Sequence, residues 1–264
     1  MNNQSTIERM KQMRLYAMAE TYNNSMQNNM HRDYTLDQYL ALLIDQEWES
    51  RYNKRIQNLI ANAGFRYPAS VQDVNYTANR SLDKNTFERL ALLDFIKRGE
   101  NVIITGATGT GKSYLAQALG NSACLMQYKT IYYNFARLID HIKLSKLEGT
   151  YIKLLNKIEK ADLLILDDFG LTAFDDHARN ALMDIVEMKY DKSSIIIAAQ
   201  IPVKNWHETI GEGTIANAIL DRIVHSSHRI ELIGKSMRKN KIKKRRLINK
   251  FGKEIISFFV AQLH

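Results

Sequence analysis

The sequence predicts an α/β fold, a parallel β-sheet covered by helices on both faces, preceded by a small all-helical N-terminal domain. Three observations carry this. The run Asn-Val-Ile-Ile-Thr-Gly-Ala-Thr-Gly-Thr-Gly-Lys-Ser, residues 101–113, is a buried-strand pattern feeding a glycine-rich turn and then a helical pattern. Downstream, short Val/Ile/Leu runs alternate with helical periodicity, which a sheet buried on both faces requires. Upstream, Leu36, Leu40, Leu43, Ile44, Trp48, Tyr52, Ile56, Leu59, Ile60 and Ala63 recur at helical spacing.

The N-terminal segment, 1 to about 70, reads as helical. Thr35 and Gln38 form a capping box ahead of that long amphipathic helix, and Gly64 supplies its C-cap. Its apolar face is expected to pack on a shorter helix around Ile7 to Tyr22 or on a neighbouring subunit. Arg51, Lys54 and Arg55 lie on the polar side, either as a solvated face or against DNA. Residues 67–82, beginning Tyr-Pro-Ala-Ser, form an irregular connector.

The second segment, 71–234, holds the sheet. Phe87, Leu90, Leu93 and Ile96 predict one helix ended by Gly99. Strands follow at 102–105, 130–133, 163–167, 194–200 and 228–233, with helical patterns at 113–124, 135–160 and about 176–190.

Chemistry concentrates at the strand ends. Gly106, Gly109 and Gly111 clear the way for backbone N–H groups to cradle a polyphosphate at a helix N-terminus, with Ala107, Thr108 and Thr110 between them and Tyr114 just beyond. Lys112 is placed for the β- and γ-phosphates and Ser113 for Mg²⁺, so the implied cofactors are ATP and Mg²⁺. Leu-Leu-Ile-Leu-Asp-Asp, 163–168, ends a strand in two carboxylates at the ligand-binding edge of the sheet. Asp167 is assigned to Mg²⁺ through water and Asp168 to the attacking water; the alternative is a turn-capping pair. Gln200 ends the next strand, between those acids and the γ-phosphate. Arg222 closes an apolar helical pattern, where it serves either as a finger into a neighbouring subunit's site or as a partner of Asp221. His225 and His228 lack a third metal ligand and are read as structural, and Trp206-His207-Glu208 as a packing loop.

Composition narrows the classes. The chain has 264 residues, 45% hydrophobic and 25% charged, enough for one good-sized core and an accessory domain. Its single cysteine, Cys124, excludes an internal disulfide framework and a thiolate metal pair. With no apolar leader and no run long enough for a bilayer, a cytoplasmic protein without membrane contact is expected. Nine basic residues and no acid lie between Lys235 and Lys250, which equals the whole net charge of +9. This tail, 235–264, suits either phosphate-backbone binding or solvation. Its end, with Ile255, Ile256, Phe258, Phe259, Val260 and Leu263, is read as a short partner-binding helix or an unselected extension.

With Gly-Ala-Thr-Gly-Thr-Gly-Lys-Ser, Leu-Leu-Ile-Leu-Asp-Asp-Phe-Gly, Gln-Ile-Pro-Val-Lys-Asn-Trp-His-Glu, Ile-Leu-Asp-Arg-Ile-Val-His and Ser-Met-Arg-Lys in this order, the sequence resembles the IstB family. These are AAA+ ATPases encoded beside an insertion-sequence transposase and similar to DnaC-type helicase loaders. Met13-Arg14-Leu15 and the stretch Trp48 to Asn62 also resemble that family's helical domain. The resemblance implies a P-loop AAA+ ATPase core and an ATP-dependent helper that forms a homo-oligomer on double-stranded DNA, distorts it, and recruits an IstA-like transposase; a helicase loader is the alternative. It makes residues 106–113 the Walker A loop, Asp167 and Asp168 the Walker B acids, Gln200 sensor 1, Arg222 the arginine finger and Arg238 a sensor 2. It also implies that the helical stretch Ile139 to Lys160 lines the DNA path through Lys143, Lys146, Lys153 and Lys157. Residues 235–264 are too few for a full lid, so any lid is vestigial. Other classes, a small-molecule P-loop kinase or a DNA-binding scaffold, predict activity indifferent to DNA or DNA binding indifferent to nucleotide.

Overall fold

The computed structural model describes residues 3–211 and 213–237. The chain divides into two compact units, Met1–Ala61 and Asn62 onward.

In the first unit α1 (Asn3–Gln12) and α2 (Tyr16–Gln27) replace the single short helix expected around Ile7 to Tyr22. The break falls at Arg14, which adopts a left-handed φ of 61°. Leu15 precedes α2 and has no side chain to cap it. Glu47, from α3 (Leu36–Ala63), does so instead: its Oε2 accepts the N–H groups of Ala17 at 2.9 Å and Met18 at 3.1 Å. Burial opposes this carboxylate's charge, but its hydrogen bonds with Arg51 and those two amides outweigh burial and hold its pKa below the usual range. Arg51 is thus engaged within the unit, since it also donates to the Arg14 carbonyl at 2.9 Å. The capping box of α3 forms as read: Thr35 N–H donates to Gln38 Oε1 at 3.0 Å, and Gln38 N–H to Thr35 Oγ1 at 3.3 Å. Within this unit the apolar face is covered only in part. Leu43 is buried, while Leu36, Leu40, Ile44 and Trp48 remain at least half exposed, with Trp48 stacked on Tyr52.

The second unit is built on a five-stranded, all-parallel sheet: β1 (Asn101–Gly106), β2 (Thr130–Asn134), β3 (Leu163–Phe169), β4 (Ser194–Ala199) and β5 (Ser227–Leu232). Their order in space is β2-β3-β4-β1-β5. Alternate side chains feed two cores. Ile103, Leu164, Leu166, Ile195 and Ile197 face one layer of helices, α7 (Phe135–Leu147), α8 (Tyr151–Glu159), α9 (Asp176–Lys189), α10 (Trp206–Ile210) and α11 (Gly213–Val224). Val102, Ile104, Ile165 and Ile196 face the other, α4 (Lys84–Ala91), α5 (Asp94–Lys97) and α6 (Lys112–Leu125).

Three expectations about elements are corrected. The helix through Phe87 to Ile96 is two, because Leu93 takes a left-handed φ of 65°; the turn lets Leu90, Leu93 and Phe95 all reach the core. The helical run 135–160 is interrupted after Leu147, with Gly149 at φ 69°. Trp206 begins a short helix rather than lying in a loop, and its fully buried ring packs 4.7 Å from that of Phe169.

Candidate nucleotide site

Parallel order places β1, β3 and β4 side by side, so everything that follows their carboxyl ends converges on one cleft. The cleft holds about 920 Å³ and is lined by Thr108, Gly109, Gly111, Lys112, Ser113 and Tyr114 from the loop and helix after β1, Asp168 from β3, Gln200 after β4, and the connector from Tyr67 to Arg80.

The loop has little freedom to be anything else. Gly106 stands at φ 146°, and a Cβ there would lie 2.4 Å from the carbonyl oxygen of Leu232 on β5, so only glycine lets the two strand ends close. Thr110 is fully buried and its hydroxyl donates to the Ala107 carbonyl at 2.9 Å, folding the loop on itself. Lys112 Nζ donates to the same carbonyl at 2.9 Å. Met237, which also lines the cleft, holds the loop through its N–H, which donates to the Gly109 carbonyl at 2.8 Å.

The two acids sit in different environments. Asp167 is buried; its Oδ1 accepts from Ser113 Oγ at 2.8 Å and from the Asp168 N–H at 3.0 Å, and its Oδ2 from the Tyr132 hydroxyl at 2.7 Å. Burial pushes its pKa up, against the hydrogen bonds from Tyr132 and Ser113 that favour the carboxylate. Asp168 is half-exposed because the strand bulges: it takes φ 57°, and the pairing of β3 with β4 shifts between Asp167 and Phe169. That bulge turns consecutive carboxylates, which a regular strand would send to opposite faces, toward one cleft. Asn134, at the end of β2, donates to Asp168 Oδ2 at 2.9 Å, and Arg66 Nη1 lies 3.8 Å from the same oxygen. A hydrogen bond to Tyr132 raises the Arg66 pKa further, and the backbone N–H of Arg66 is anchored at 2.7 Å on buried Gln117 of α6. Gln200 follows β4 and accepts from Thr108 Oγ1 at 2.6 Å, which links the strand end to the loop.

The remaining sequence-derived residues lie elsewhere. Arg222 is at the opposite, amino-terminal edge of the sheet: its carbonyl accepts from Asn101 Nδ2 at 3.3 Å, and its Nη2 is 2.9 Å from Glu187. The Asp221–Arg222 pair weighed as its alternative does not form, because Asp221 pairs with His225 at 3.2 Å. Arg238, the hydrophobic stretch near the C-terminus and the basic tail beyond Met237 lie outside the described residues. Lys143 is paired with Asp175 at 2.7 Å and Lys146 sits 4.7 Å from the Tyr151 ring centroid, while Lys153 and Lys157 are exposed on α8. His228 Nε2 is 2.8 Å from Glu100 Oε2.

Sequence reasoning missed Asn134, Tyr132, Arg66 and Arg80. Asn134 carried a usable signal, a polar residue ending a buried strand, which is the rule that picked out Gln200. Tyr132 looks like any strand aromatic, and the two arginines come from irregular chain.

Ser113 Oγ and Asp167 Oδ1, 2.8 Å apart, are hard oxygen donors of the type Mg²⁺ takes. Among the described residues no cluster of three or more His, Cys, Asp or Glu forms a self-sufficient metal site. No helix among them is long and apolar enough to cross a membrane.

The family profile described as IstB-like ATP binding protein matches residues 8–245. A putative insertion sequence ATP-binding protein, y4pL of Sinorhizobium fredii, is 38% identical over 90% of this chain and 98% of its own length. The insertion sequence IS21 putative ATP-binding protein of Pseudomonas aeruginosa is 28% identical over 81% of this chain and 80% of its own. Among solved structures, DnaI superposes with a TM-score of 0.51 at 21% identity, covering 67% of this chain and 93% of that one. AMPPCP-bound DnaA from Aquifex aeolicus gives a TM-score of 0.52 at 21% identity, over 69% and 56%. These two likenesses concern the fold.

Proposed function

The chain belongs to the IstB-like ATP-binding family and is an ATPase of the AAA+ type; from that premise we propose that it is a transposition helper that assembles on duplex DNA, remodels it and recruits and activates a partner transposase. The observation that carries this reading is the near full-length relation to insertion-sequence ATP-binding proteins.

In this reading the P-loop amides and Lys112 bind the phosphates, and Ser113 and Asp167 would hold Mg²⁺, which when bound would supply charge neutralisation to the phosphates. Asp168, turned into the cleft by its bulge and held by Asn134, orients the attacking water. Gln200 couples the γ-phosphate end to β4 through Thr108. Arg222 lies at the other edge of its own sheet, so a role for it in hydrolysis is a role in a neighbour's site. Lys153 and Lys157, exposed on α8, are the freest of the four lysines to meet a phosphate backbone; Lys143 would first exchange Asp175 for it.

The test is ATP hydrolysis with and without duplex DNA across protein concentration and salt. A rate that rises more than linearly with protein, rises with DNA and falls with salt is expected. A DNA-independent rate linear in protein would overturn the assembly reading and favour a self-contained site.

A further inference from the structure

Arg80 is a buried cation that the reading so far leaves without a role. It is 2% exposed. Its Nη1 donates to the Thr110 carbonyl at 2.9 Å and its Nη2 to the Asn75 carbonyl at 3.0 Å, while its Nε is buried with no hydrogen-bond partner. Among the described residues no carboxylate lies within ion-pair distance of it. Two neutral carbonyls do not offset a buried guanidinium, and burial accordingly pushes its pKa down. A chain that keeps a costly cation has a use for an anion beside it.

The position says which anion. Arg80 lines the same cleft as Gly109, Gly111 and Lys112, and a Cβ on Gly111 would fall 2.4 Å from its Nη1, so the guanidinium lies directly against the phosphate loop. The Ile233 N–H donates to the Arg80 carbonyl at 3.2 Å, which fixes the residue beside the end of β5. Asp168 and Gln200 mark the γ-phosphate end of the cleft, and Arg80 arrives from the connector instead.

We propose that Arg80 is a phosphate ligand of the nucleotide site, a second cation beside Lys112 that neutralises the α- and β-phosphates and is itself neutralised by them. The proposal rests on the nucleotide reading of this cleft. The same guanidinium ties the Asn75 and Thr110 carbonyls together and so fastens the connector to the phosphate loop.

The experiment measures ADP and adenosine binding to the full chain and to Arg80→Gln, Arg80→Lys and Lys112→Ala. Arg80→Gln keeps a donor for one carbonyl and loses the charge; ADP affinity should fall roughly tenfold or more while adenosine affinity holds within about threefold. Arg80→Lys should recover most of the ADP affinity. If ADP and adenosine weaken together, or ADP does not weaken, Arg80 is only a brace of the loop and the proposal is overturned. Unchanged ADP affinity in Lys112→Ala would instead sink the nucleotide reading itself. Should Arg80→Gln not fold, the wild-type chain still decides: the Arg80 Nε–H resonance, assigned with Arg80→Lys, should shift with ADP and with pyrophosphate but not with adenosine. Equal shifts with adenosine, or none with pyrophosphate, overturn the proposal.

Discussion

Asp167→Asn should act with opposite sign in the free and nucleotide-bound protein. The amide has the carboxylate's shape; with Oδ1 toward Ser113 and Asp168 it keeps both of those hydrogen bonds, and its Nδ2 can donate to the Tyr132 hydroxyl. What is lost is a buried charge, and burial raises the pKa of that group in the folded state. A carboxyl with a raised folded pKa stabilises fully below its unfolded pKa and loses that contribution as pH rises through the folded value. Near pH 7, therefore, the free Asn variant should be at least as stable as wild type, and its advantage should shrink toward zero in acid. With Mg·ATP the order reverses. At ligand concentrations of about 100 Kd, binding adds about 2.7 kcal/mol, and at roughly 2–4 °C per kcal/mol for a chain of this size the wild type should gain about 5–11 °C. The variant should gain little beyond what it shows with ATP alone. Thermal unfolding at two pH values, with and without Mg²⁺ and ATP, checks all four arms. A free variant less stable than wild type at pH 7 would refute the electrostatic argument, and a full Mg²⁺-dependent gain would remove Asp167 from the metal site.

Other outcomes follow from single contacts. Gly106→Ala puts a methyl 2.4 Å from the Leu232 carbonyl at φ 146° and should cost roughly 2–6 kcal/mol; a melting temperature within about 2 °C of wild type would show that β5 yields freely. Lys189 is buried on the Ala161 and Glu159 carbonyls with a pKa lowered to about 8 from 10.5. The unfolded chain then binds the extra proton between those values, so stability should rise with pH across that window; denaturant midpoints should lose this slope in Lys189→Met, and a persisting slope assigns it elsewhere. Arg222→Ala should keep ATP affinity within about threefold and lose about 10³ in DNA-stimulated rate. Retained stimulation, read in the same hydrolysis assay, would leave Arg222 as a partner of Glu187 and nothing more.

Much of this protein is a local pattern, and local patterns are legible. The phosphate loop, the apolar strand ending in Asp167 and Asp168, and the Thr35–Gln38 box each depend on residues within a few positions, where backbone sterics and short-range hydrogen bonds decide the outcome. Turns through left-handed non-glycine residues were not legible. Arg14 and Leu93 break helices that their periodicity would continue, because packing at both ends outweighs a conformational cost of about 1–2 kcal/mol.

By itself, then, the sequence determined the order of strands and helices, the phosphate loop and the acids that face it. Tertiary structure decided what surrounds them. Asp168 reaches the cleft only through a bulge in the β3–β4 pairing. Tyr132, Asn134, Arg66 and Arg80 meet the site across 30 or more positions of sequence. Arg222, which follows an apolar pattern as inviting as any, is carried to the far edge of the sheet. The reason is physical: a side chain's secondary structure is set by its neighbours in sequence, but its electrostatic partners are set by which strands lie side by side, and that order is fixed by burying two cores at once.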